Sequence, residues 1–352
     1  MNADEWEALF GSGGTQRRFH ILRKHGKPFL ILPRAPRLAA RTLELYPAQT
    51  HLARLARATL RVALRCGLPS PHGAADLSWN PEAPLQKWIH AQFGAHTEIG
   101  ILLGNPNAAG RRWILLIFDA AQNPIAVVKA GVSPRARELI FAEAQCISNL
   151  PATFRGKPTL LSQMEGDVAA LALAYVPGTT PSPDASPAQL GSILTSWVRP
   201  AETVAFSEIP AWQRVINSTG LPDRLANVKV AATTMHGDFV PWNIREHDGQ
   251  WTVLDWERGE ALGVPGWDWL HFLIQSEVLV RKSSGEQAFS KVQALFHTVE
   301  WGHYARLCGI ESLTAPLLVA YVIYSLEVLR QTEGTATMRS LLQCATTSMK
   351  GG

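Results

Sequence analysis

The chain has 352 residues, 46% of them hydrophobic and 18% charged, and its formal net charge is +4. This composition excludes a bare binding module and a largely disordered chain, and it supplies material for one large two-lobed core or two ordinary domains. Acidic residues near the N-terminus and the lack of a long uncharged apolar run disfavour a secretory signal and a membrane span, so we expect a cytoplasmic protein.

Residues 1–84 are predicted to form a basic N-terminal extension made of a hairpin, a helix and a linker. Two short apolar runs in residues 19–33 surround a turn and indicate the β-hairpin. Residues 37–66 predict a helix, with a break favoured at Pro47. Residues 68–84 are rich in Pro, Ser and Asn, which is typical of a linker.

The predicted helix of this extension carries a basic stripe. Its arginines, Arg54, Arg57, Arg61 and Arg65, recur at helical spacing, and Leu and Ala occupy much of the remaining circumference. In the favoured interpretation, the apolar side packs on the rest of the protein and the arginines are solvated. In the second, the arginines make a weak peripheral contact with an anionic surface, either a membrane leaflet or a phosphorylated glycolipid.

Residues 85–177 predict a five-stranded antiparallel sheet with one helix. Three β-prone runs, EIGILLG, RRWILLIFD and NPIAVVKAG, are joined by turn-rich segments and indicate a meander. A helix is predicted to begin after Ser133 and Pro134. The runs LLSQMEG and VAALALAYVPG then supply the last two strands.

One acidic residue of that helix is expected to face the sheet. Glu143 shares an apolar stripe with Leu139, Cys146 and Leu150, whereas Glu138 lies on a polar face. A carboxylate on an apolar stripe needs a cationic partner, and Lys129 ends the strand before the helix. We therefore expect an ion pair between Lys129 and Glu143, with Glu138 in solvent.

Residues 178–352 are predicted to be mainly helical, with a short β region between residues 232 and 259. Within MHGDFVPWNI the polar residues His236, Asp238 and Asn243 interrupt an apolar segment, and Asp255 follows twelve residues later. Buried acids and amides are costly unless they are paired or bind a metal. The intervening EHDG predicts a hairpin turn that brings Asn243 and Asp255 together.

These residue types suit phosphoryl transfer. Two oxygen ligands can hold Mg²⁺ on nucleotide phosphates, while another carboxylate orients the attacking hydroxyl. The spacing HGDxxxxN, with Asp255 after it, resembles the aminoglycoside phosphotransferase and choline kinase family, whose members have a protein-kinase-like fold. The resemblance implies that Asp238 is the catalytic base, that Asn243 and Asp255 bind the metal, and that His236 is a structural residue of the loop.

The same resemblance gives the fold and the nucleotide side of the site. It implies an α+β, two-lobed fold, with a cleft between an antiparallel sheet lobe (residues 85–177) and a helical lobe (residues 178–352). The Lys129–Glu143 pair would order the nucleotide site. The segment LALAYVPG resembles the hinge between the lobes, so the backbone of Ala174, Tyr175 and Val176 should contact adenine, although Tyr175 is equally compatible with a core position.

Two further features of the sequence each allow two interpretations. The turn GNPNAAGRR, with Gly104 and Gly110, is either an ordinary hairpin loop or a phosphate-covering loop. Asp268 is either an ordinary acid in the first turn of a helix or a brace for the catalytic loop.

The predicted function is ATP-dependent transfer of the γ-phosphate, with Mg²⁺, to a hydroxyl of a small molecule. A sugar or glycan precursor is favoured slightly over an amino alcohol, because residues 269–352 have a net charge of about +1 and do not favour a polycation. Four aromatic residues either contact such a substrate or belong to the core: Trp301, Tyr304, Tyr321 and Tyr324. No nucleic-acid partner is expected. The alternative function is a catalytically silent pseudokinase that binds a nucleotide or a partner.

Overall fold

The computed structural model describes residues 3–46, 51–104, 108, 110–219, 223–330 and 333–351. The chain divides into two compact units. Residues 1–148 and 158–176 form the first unit, and residues 149–157 and 177–352 form the second. The N-terminal residues predicted as an extension are therefore part of the first unit.

One antiparallel sheet runs through the first unit. Its strands are β1 (Thr15–Lys24), β2 (Lys27–Leu32), β3 (Ala74–Trp79), β4 (Glu98–Leu103), β5 (Trp113–Phe118), β6 (Pro124–Gly131), β7 (Leu160–Met164) and β8 (Ala169–Ala174). They lie in the order β3-β1-β2-β4-β5-β6-β8-β7. The predicted β1–β2 hairpin and the β4–β5–β6 meander are confirmed. The predicted total of five strands is wrong, because β1, β2 and β3 join the same sheet.

Strand β3 replaces much of the predicted linker. It pairs antiparallel with β1, and its buried residues Leu77 and Trp79 belong to the core on one face of the sheet. The flanking Pro, Ser and Asn residues concealed a short strand with apolar residues at every second position. Its partner β1 lies about sixty residues earlier, so local composition could not reveal the pairing.

Helices cover both faces of the sheet. The helices of this unit are α1 (Ala3–Phe10), α2 (Pro36–Thr42), α3 (His51–Arg65), α4 (Pro84–Phe93) and α5 (Pro134–Asn149). Helices α1 and α4 contribute buried side chains to the core that contains Trp79 and Trp113. Helices α2 and α3 contribute to a second core, which contains Leu22 and Leu30. The predicted break at Pro47 lies outside the described residues.

The orientation of α3 contradicts the favoured interpretation of its sequence. Arg57 donates to the backbone oxygen of Tyr46 at 2.8 Å, and Arg61 lies 3.0 Å from Glu44. The side chain of Leu64 is buried. The apolar residues on the opposite side of the helix are exposed: Leu52 by 80%, Leu55 by 66% and Val62 by 62%. Two arginines thus face the protein, since a backbone carbonyl and a carboxylate are available to them there.

The second unit is mainly helical. Its helices are α6 (Pro187–Thr195), α7 (Pro210–Thr219), α8 (Trp267–Gln275), α9 (Gly285–Phe296), α10 (Val299–Cys308), α11 (Thr314–Ile323) and α12 (Thr335–Gly351). Its strands are β9 (Val198–Ala205), β10 (Lys229–Met235), β11 (Ile244–His247), β12 (Gln250–Val253) and β13 (Glu260–Gly263). Strands β13, β10 and β9 form one sheet, and β11 and β12 form a hairpin. The α+β class, with an antiparallel sheet unit and a helical unit, is confirmed.

One described helical stretch, Glu311–Val328, is long and apolar enough to cross a membrane by length and composition alone. It contains α11 and a π-helical turn at Tyr324–Val328. Its side chains Leu317, Leu318 and Tyr321 are buried. Core helices commonly meet the same criteria.

Candidate active site

The loop that follows β10 is held by a carboxylate from α8. Asp268 lies in the first turn of that helix and accepts hydrogen bonds from the backbone N–H of His236 at 2.6 Å and of Gly237 at 3.0 Å. Burial raises the pKa of the Asp268 carboxyl, while these two backbone hydrogen bonds oppose that rise. Asp268 therefore lies in the first turn of a helix and also braces the loop, as the two interpretations of its sequence position proposed.

The residue between His236 and Asp238 must be glycine for two reasons. Gly237 has a φ of 77°, in the left-handed region that side chains disfavour. A Cβ atom at this position would also lie 2.7 Å from the backbone oxygen of Arg258. The HGD sequence thus fits a loop that turns sharply against the segment containing Arg258.

His236 ties the loop to the end of the next hairpin. Its ring is buried, with Nδ1 accepting from the Asp238 N–H at 3.2 Å and Nε2 lying 2.9 Å from the backbone oxygen of Leu254. A carbonyl can only accept, so Nε2 carries the hydrogen, an assignment that follows from the bonding pattern. These contacts give His236 a structural role in the loop.

The carboxylate of Asp238 is held at both oxygens. Asn243 Nδ2 donates to Oδ2 at 3.0 Å and to the backbone oxygen of Asp238 at 3.0 Å, while His271 Nε2 lies 3.1 Å from Oδ1. Burial raises the pKa of Asp238. The hydrogen bond and charge of His271, with the charge of Arg258, outweigh that effect and hold the pKa well below its usual range. Asp238 is therefore ionised at neutral pH, with a side chain that is still 30% exposed.

The predicted hairpin between Asn243 and Asp255 is confirmed. Its two-residue turn consists of Asp248 and Gly249, both with positive φ, as the primed turns of tight hairpins require. Beyond the last strand pair, the Leu254 N–H donates to the Asn243 backbone oxygen at 2.7 Å. Asn243 thus lies opposite Leu254, next to Asp255. Asp255 adopts the left-handed conformation, with a φ of 70°, at the point where the chain leaves β12.

The side-chain oxygens of Asn243 and Asp255, at the open end of this hairpin, are ligands that suit Mg²⁺. The Asn243 amide nitrogen is used by Asp238, and its Oδ1 takes no part in those bonds. Asp255 adds a carboxylate, and oxygen ligands from one or two such residues are what Mg²⁺ takes when phosphates and waters complete its shell. Among the described residues, no group of three or more His, Cys, Asp and Glu is arranged to hold a metal without such added ligands.

The first unit contains the expected ion pair. Lys129 Nζ on β6 lies 2.6 Å from both carboxylate oxygens of Glu143 on α5, and both residues are buried. Glu138 is exposed and pairs with Arg135 at 2.9 Å, so its expected solvent position is confirmed.

The buried stripe of α5 differs in part from the predicted one. It contains Glu143, and the predicted Leu150, directly after the helix, is also buried, but the other buried residues are Ala136, Ile140, Ala144 and Ile147. Leu139 and Cys146 are only half-buried. The helix is thus rotated slightly from the predicted orientation, because the small Ala136 allows close approach to Gly131 of β6.

The three residues of the predicted hinge lie at the end of β8. The N–H of Ala174 donates to the Thr159 backbone oxygen at 2.9 Å, and that of Tyr175 donates to the Ile125 backbone oxygen at 3.0 Å. Val176 is the last residue of the first unit. The N–H groups of Ala174 and Tyr175 are thus used in bonds to other strands or turns. Contact with adenine stays a prediction, and of the three N–H groups that of Val176 is the one now expected to make it.

The side chain of Tyr175 has a partner that sequence reasoning missed. Its hydroxyl donates to Glu44 Oε2 at 2.6 Å. Burial, followed by the hydrogen bond and charge of Glu44, raises the pKa of Tyr175 to about 12. Glu44 also pairs with Arg61 of α3, so the N-terminal segment is bonded directly to the predicted hinge.

The predicted phosphate-covering turn is described only in part, because residues 105–107 and 109 lie outside the described residues. At its end, Arg111 lies 2.9 Å from Glu5 of α1 and donates to the Gly104 backbone oxygen at 3.2 Å. Its contact with phosphate stays a prediction.

The aromatic quartet proposed for substrate contact belongs to the core. Trp301, Tyr304, Tyr321 and Tyr324 are all at most 6% exposed. Tyr321 instead hydrogen-bonds the Nδ1 atom of His271 at 3.0 Å. His271 was the residue missed by sequence reasoning, although its place three residues after Asp268, on the adjacent turn of α8, was a signal that could have found it.

Neither a protein-family model nor a curated protein matches the chain. Among solved structures, the chain is similar to a thermostable mutant of an aminoglycoside phosphotransferase, in a ternary complex with ADP and hygromycin B, at 12% identity and a TM-score of 0.45, over 74% of this chain and 97% of that one. A structure assigned as a fructosamine-3-kinase from Thermobifida fusca YX-ER1 is similar at 17% identity and a TM-score of 0.44, over 76% and 99%. A glucosamine kinase in complex with glucosamine, ADP and inorganic phosphate is similar at 16% identity and a TM-score of 0.39, over 77% and 87%. All three have the names of small-molecule phosphotransferases.

Proposed function

We propose that the protein is an ATP-dependent kinase that transfers a phosphoryl group to a hydroxyl of a small molecule. The observation that carries this proposal is the geometry at Asp238, whose carboxylate is partly exposed and hydrogen-bonded to Asn243 and His271. A carboxylate in this state can accept the proton of an attacking hydroxyl and orient its oxygen, which are the tasks of the base in phosphoryl transfer.

The other candidate residues take roles on the nucleotide. Asn243 Oδ1 and the Asp255 carboxylate would bind Mg²⁺, which when bound neutralises phosphate charge. Lys129, oriented by buried Glu143, would donate to the phosphates. Val176 would meet adenine through its backbone.

A neutral or weakly charged acceptor fits the composition of the helical unit. Residues 269–352 contain six Glu against seven Lys and Arg, so a polycationic acceptor finds no acidic surplus there. A sugar or glycan precursor is therefore placed before an amino alcohol. A pseudokinase is the second candidate, and the intact set of Lys129, Asp238, Asn243 and Asp255 argues against it.

Peripheral contact with an anionic membrane or glycolipid stays part of the proposal, but apolar residues of α3 take the place of its arginines in that contact. Arg57 and Arg61 have partners within the protein. The exposed face of α3 offers Leu52, Leu55 and Val62 instead, and amphipathic helices bind lipid surfaces through such apolar faces.

The function is tested by measuring ADP release with MgATP across a panel of sugars, amino sugars and amino alcohols. Asp238→Asn should lower kcat by about 10²–10⁴-fold, because it removes the base, and should leave the Kd for MgATP nearly unchanged. Asp255→Asn keeps the left-handed backbone that Asn tolerates but replaces the proposed carboxylate ligand by a neutral amide oxygen, which binds Mg²⁺ more weakly. It should weaken Mg²⁺-dependent nucleotide binding by at least about 10-fold, since even mutation of residues that only hydrogen-bond to metal ligands lowers metal affinity or activity by about 10–100-fold.

Asp248→Asn is the matched control, because Asp248 lies at the exposed tip of the same hairpin and also has a positive φ. Full activity of Asp238→Asn would remove the mechanism. MgATP binding without ADP release from any acceptor would favour the pseudokinase.

A further inference from the structure

A buried histidine lies behind the proposed catalytic base. His271 on α8 is 3% exposed, and its Nε2 atom lies 3.1 Å from Asp238 Oδ1. Its Nδ1 atom lies 3.0 Å from the hydroxyl of Tyr321 on α11, which is 1% exposed. Both ring nitrogens are thus bonded, one to the base and one to a fully buried phenol.

The direction of these bonds follows from the chemistry of the two ends. An ionised carboxylate can only accept, so the Nε2 atom of His271 carries a hydrogen whether the ring is neutral or protonated. Burial raises the pKa of Tyr321 well above its ordinary value, so its hydroxyl stays protonated at physiological pH. With a neutral ring, Tyr321 therefore donates to Nδ1, which fixes the tautomer that donates to Asp238.

The carboxylate of Asp238 would be held less firmly without this contact. Asn243 holds Oδ2, but a bond at one carboxylate oxygen resists rotation about the Cβ–Cγ bond less than bonds at both oxygens do. With His271 bonded to Oδ1, the carboxylate plane is fixed at both oxygens. Orientation matters because a misplacement of about 1 Å in a reacting group can cost about 10²-fold in rate.

We propose that His271, oriented by Tyr321, is a positioning residue that fixes the carboxylate of Asp238 for phosphoryl transfer. The proposal rests on the kinase function proposed above. It assigns no proton transfer to His271. It accounts for a buried Tyr–His pair in the helical unit, where two hydrophobic residues would pack with less cost of desolvation.

The test compares three substitutions by steady-state kinetics with the acceptor found in the panel. His271→Leu removes the donor and should lower kcat by about 30–100-fold with little change in the KM for MgATP. His271→Gln restores an N–H donor on a side chain of similar reach and should raise kcat by at least about 10-fold above that of His271→Leu. Tyr321→Phe should lower kcat by about 3–10-fold, because the ring keeps its donor to Asp238 but loses its fixed tautomer.

Tyr304→Phe is the matched control for the last substitution. Tyr304 is equally buried, and its hydroxyl accepts from the Gly266 N–H at 3.0 Å, without contact to His271. Thermal unfolding and MgATP titration report whether each variant is folded. A general packing role predicts equal kcat losses in Tyr304→Phe and Tyr321→Phe, and that result overturns the proposal.

An active wild-type protein whose His271→Leu variant keeps kcat within about twofold also overturns the proposal, and leaves the kinase function standing. A wild-type protein that binds MgATP but phosphorylates no acceptor overturns the kinase function and this inference with it.

Discussion

At the scale of single residues, the loop after β10 is ordered by side chains that reach it from other elements. Asp268 holds the N–H groups of His236 and Gly237, and His236 holds that of Asp238. These three buried or partly buried N–H groups therefore have partners, which offsets the cost of their desolvation. The spacing of Asp238 and Asn243 is visible in the sequence. For their partner His271 the sequence offers only its place three residues after Asp268, since His271 lies thirty-three residues from Asp238 and meets it through tertiary packing.

A second residue-scale feature gives a pH-dependent prediction. Tyr175→Phe removes the hydrogen bond from the tyrosine hydroxyl to the charged carboxylate of Glu44. The substitution should lower the free energy of unfolding at pH 8 by about 1.5 kcal/mol. This value is the lower end of the range for hydrogen bonds to charged groups, because Arg61 still pairs with Glu44 in the variant. Since folding raises the pKa of Tyr175 to about 12, its contribution is complete below the unfolded value of about 10 and is lost as the pH rises through 12.

Urea unfolding of wild type and Tyr175→Phe at pH 8, 10 and 11.5 measures this difference. The difference between the two curves should shrink from pH 8 to pH 11.5. Tyr46→Phe, on the same N-terminal segment, is the control for the loss of a tyrosine hydroxyl that does not bond Glu44. A difference between wild type and Tyr175→Phe that stays constant to pH 11.5 contradicts the prediction.

At the scale of elements, helix α3 shows why amphipathicity alone does not give orientation. Its sequence places arginines on one side and apolar residues on another, and the usual rule turns the arginines to solvent. Here Glu44 and the Tyr46 carbonyl bond two of the arginines, while Leu60 and Leu64 pack beside them on the sheet. The remaining apolar face is left exposed.

The exposed face of α3 is expected to determine any membrane association. Replacing Leu52, Leu55 and Val62 together by Gln should lower binding to vesicles with 30% anionic lipid by about 10-fold or more, because each leucine or valine loses about 1.5 kcal/mol or more of burial. Co-sedimentation at low and raised salt measures the effect. Val299→Gln, at an equally exposed apolar residue of the second unit, is the control. Wild-type protein that binds no vesicles, or a triple variant that binds as wild type does, leaves the face without a membrane role.

At the scale of the whole molecule, the N-terminal residues complete the sheet of the first unit. Strand β2 pairs with β4, and β1 and β3 continue the sheet beyond it. Trp6, Phe10 and Trp79 pack around Trp113 of β5, so aromatic residues from both ends of this unit share one core. A separate extension would have left β4 as an edge strand.

Removal of residues 1–84 should therefore abolish cooperative folding of the first unit. The deletion exposes the β4 edge and one face of the remaining sheet, which promotes aggregation. Near-ultraviolet circular dichroism, dye binding and thermal unfolding measure the outcome. Trp79→Phe, which keeps an aromatic ring at the centre of this core, should cost far less. A truncated chain with a Tm within a few degrees of the wild type contradicts the integrated sheet.

The sequence by itself determined the local features of this protein. Strand periodicity located β4 to β8, the Asp248–Gly249 turn located the β11–β12 hairpin, and helical spacing placed Glu143 toward the sheet. Each of these depends on residues that are near one another in the chain. Tertiary structure alone decided which elements share a sheet, which face of α3 is buried, and which side chains fix Asp238. Those outcomes depend on partners dozens of residues away, because the free energy of burying a charge or an apolar face is set by what lies opposite it in space.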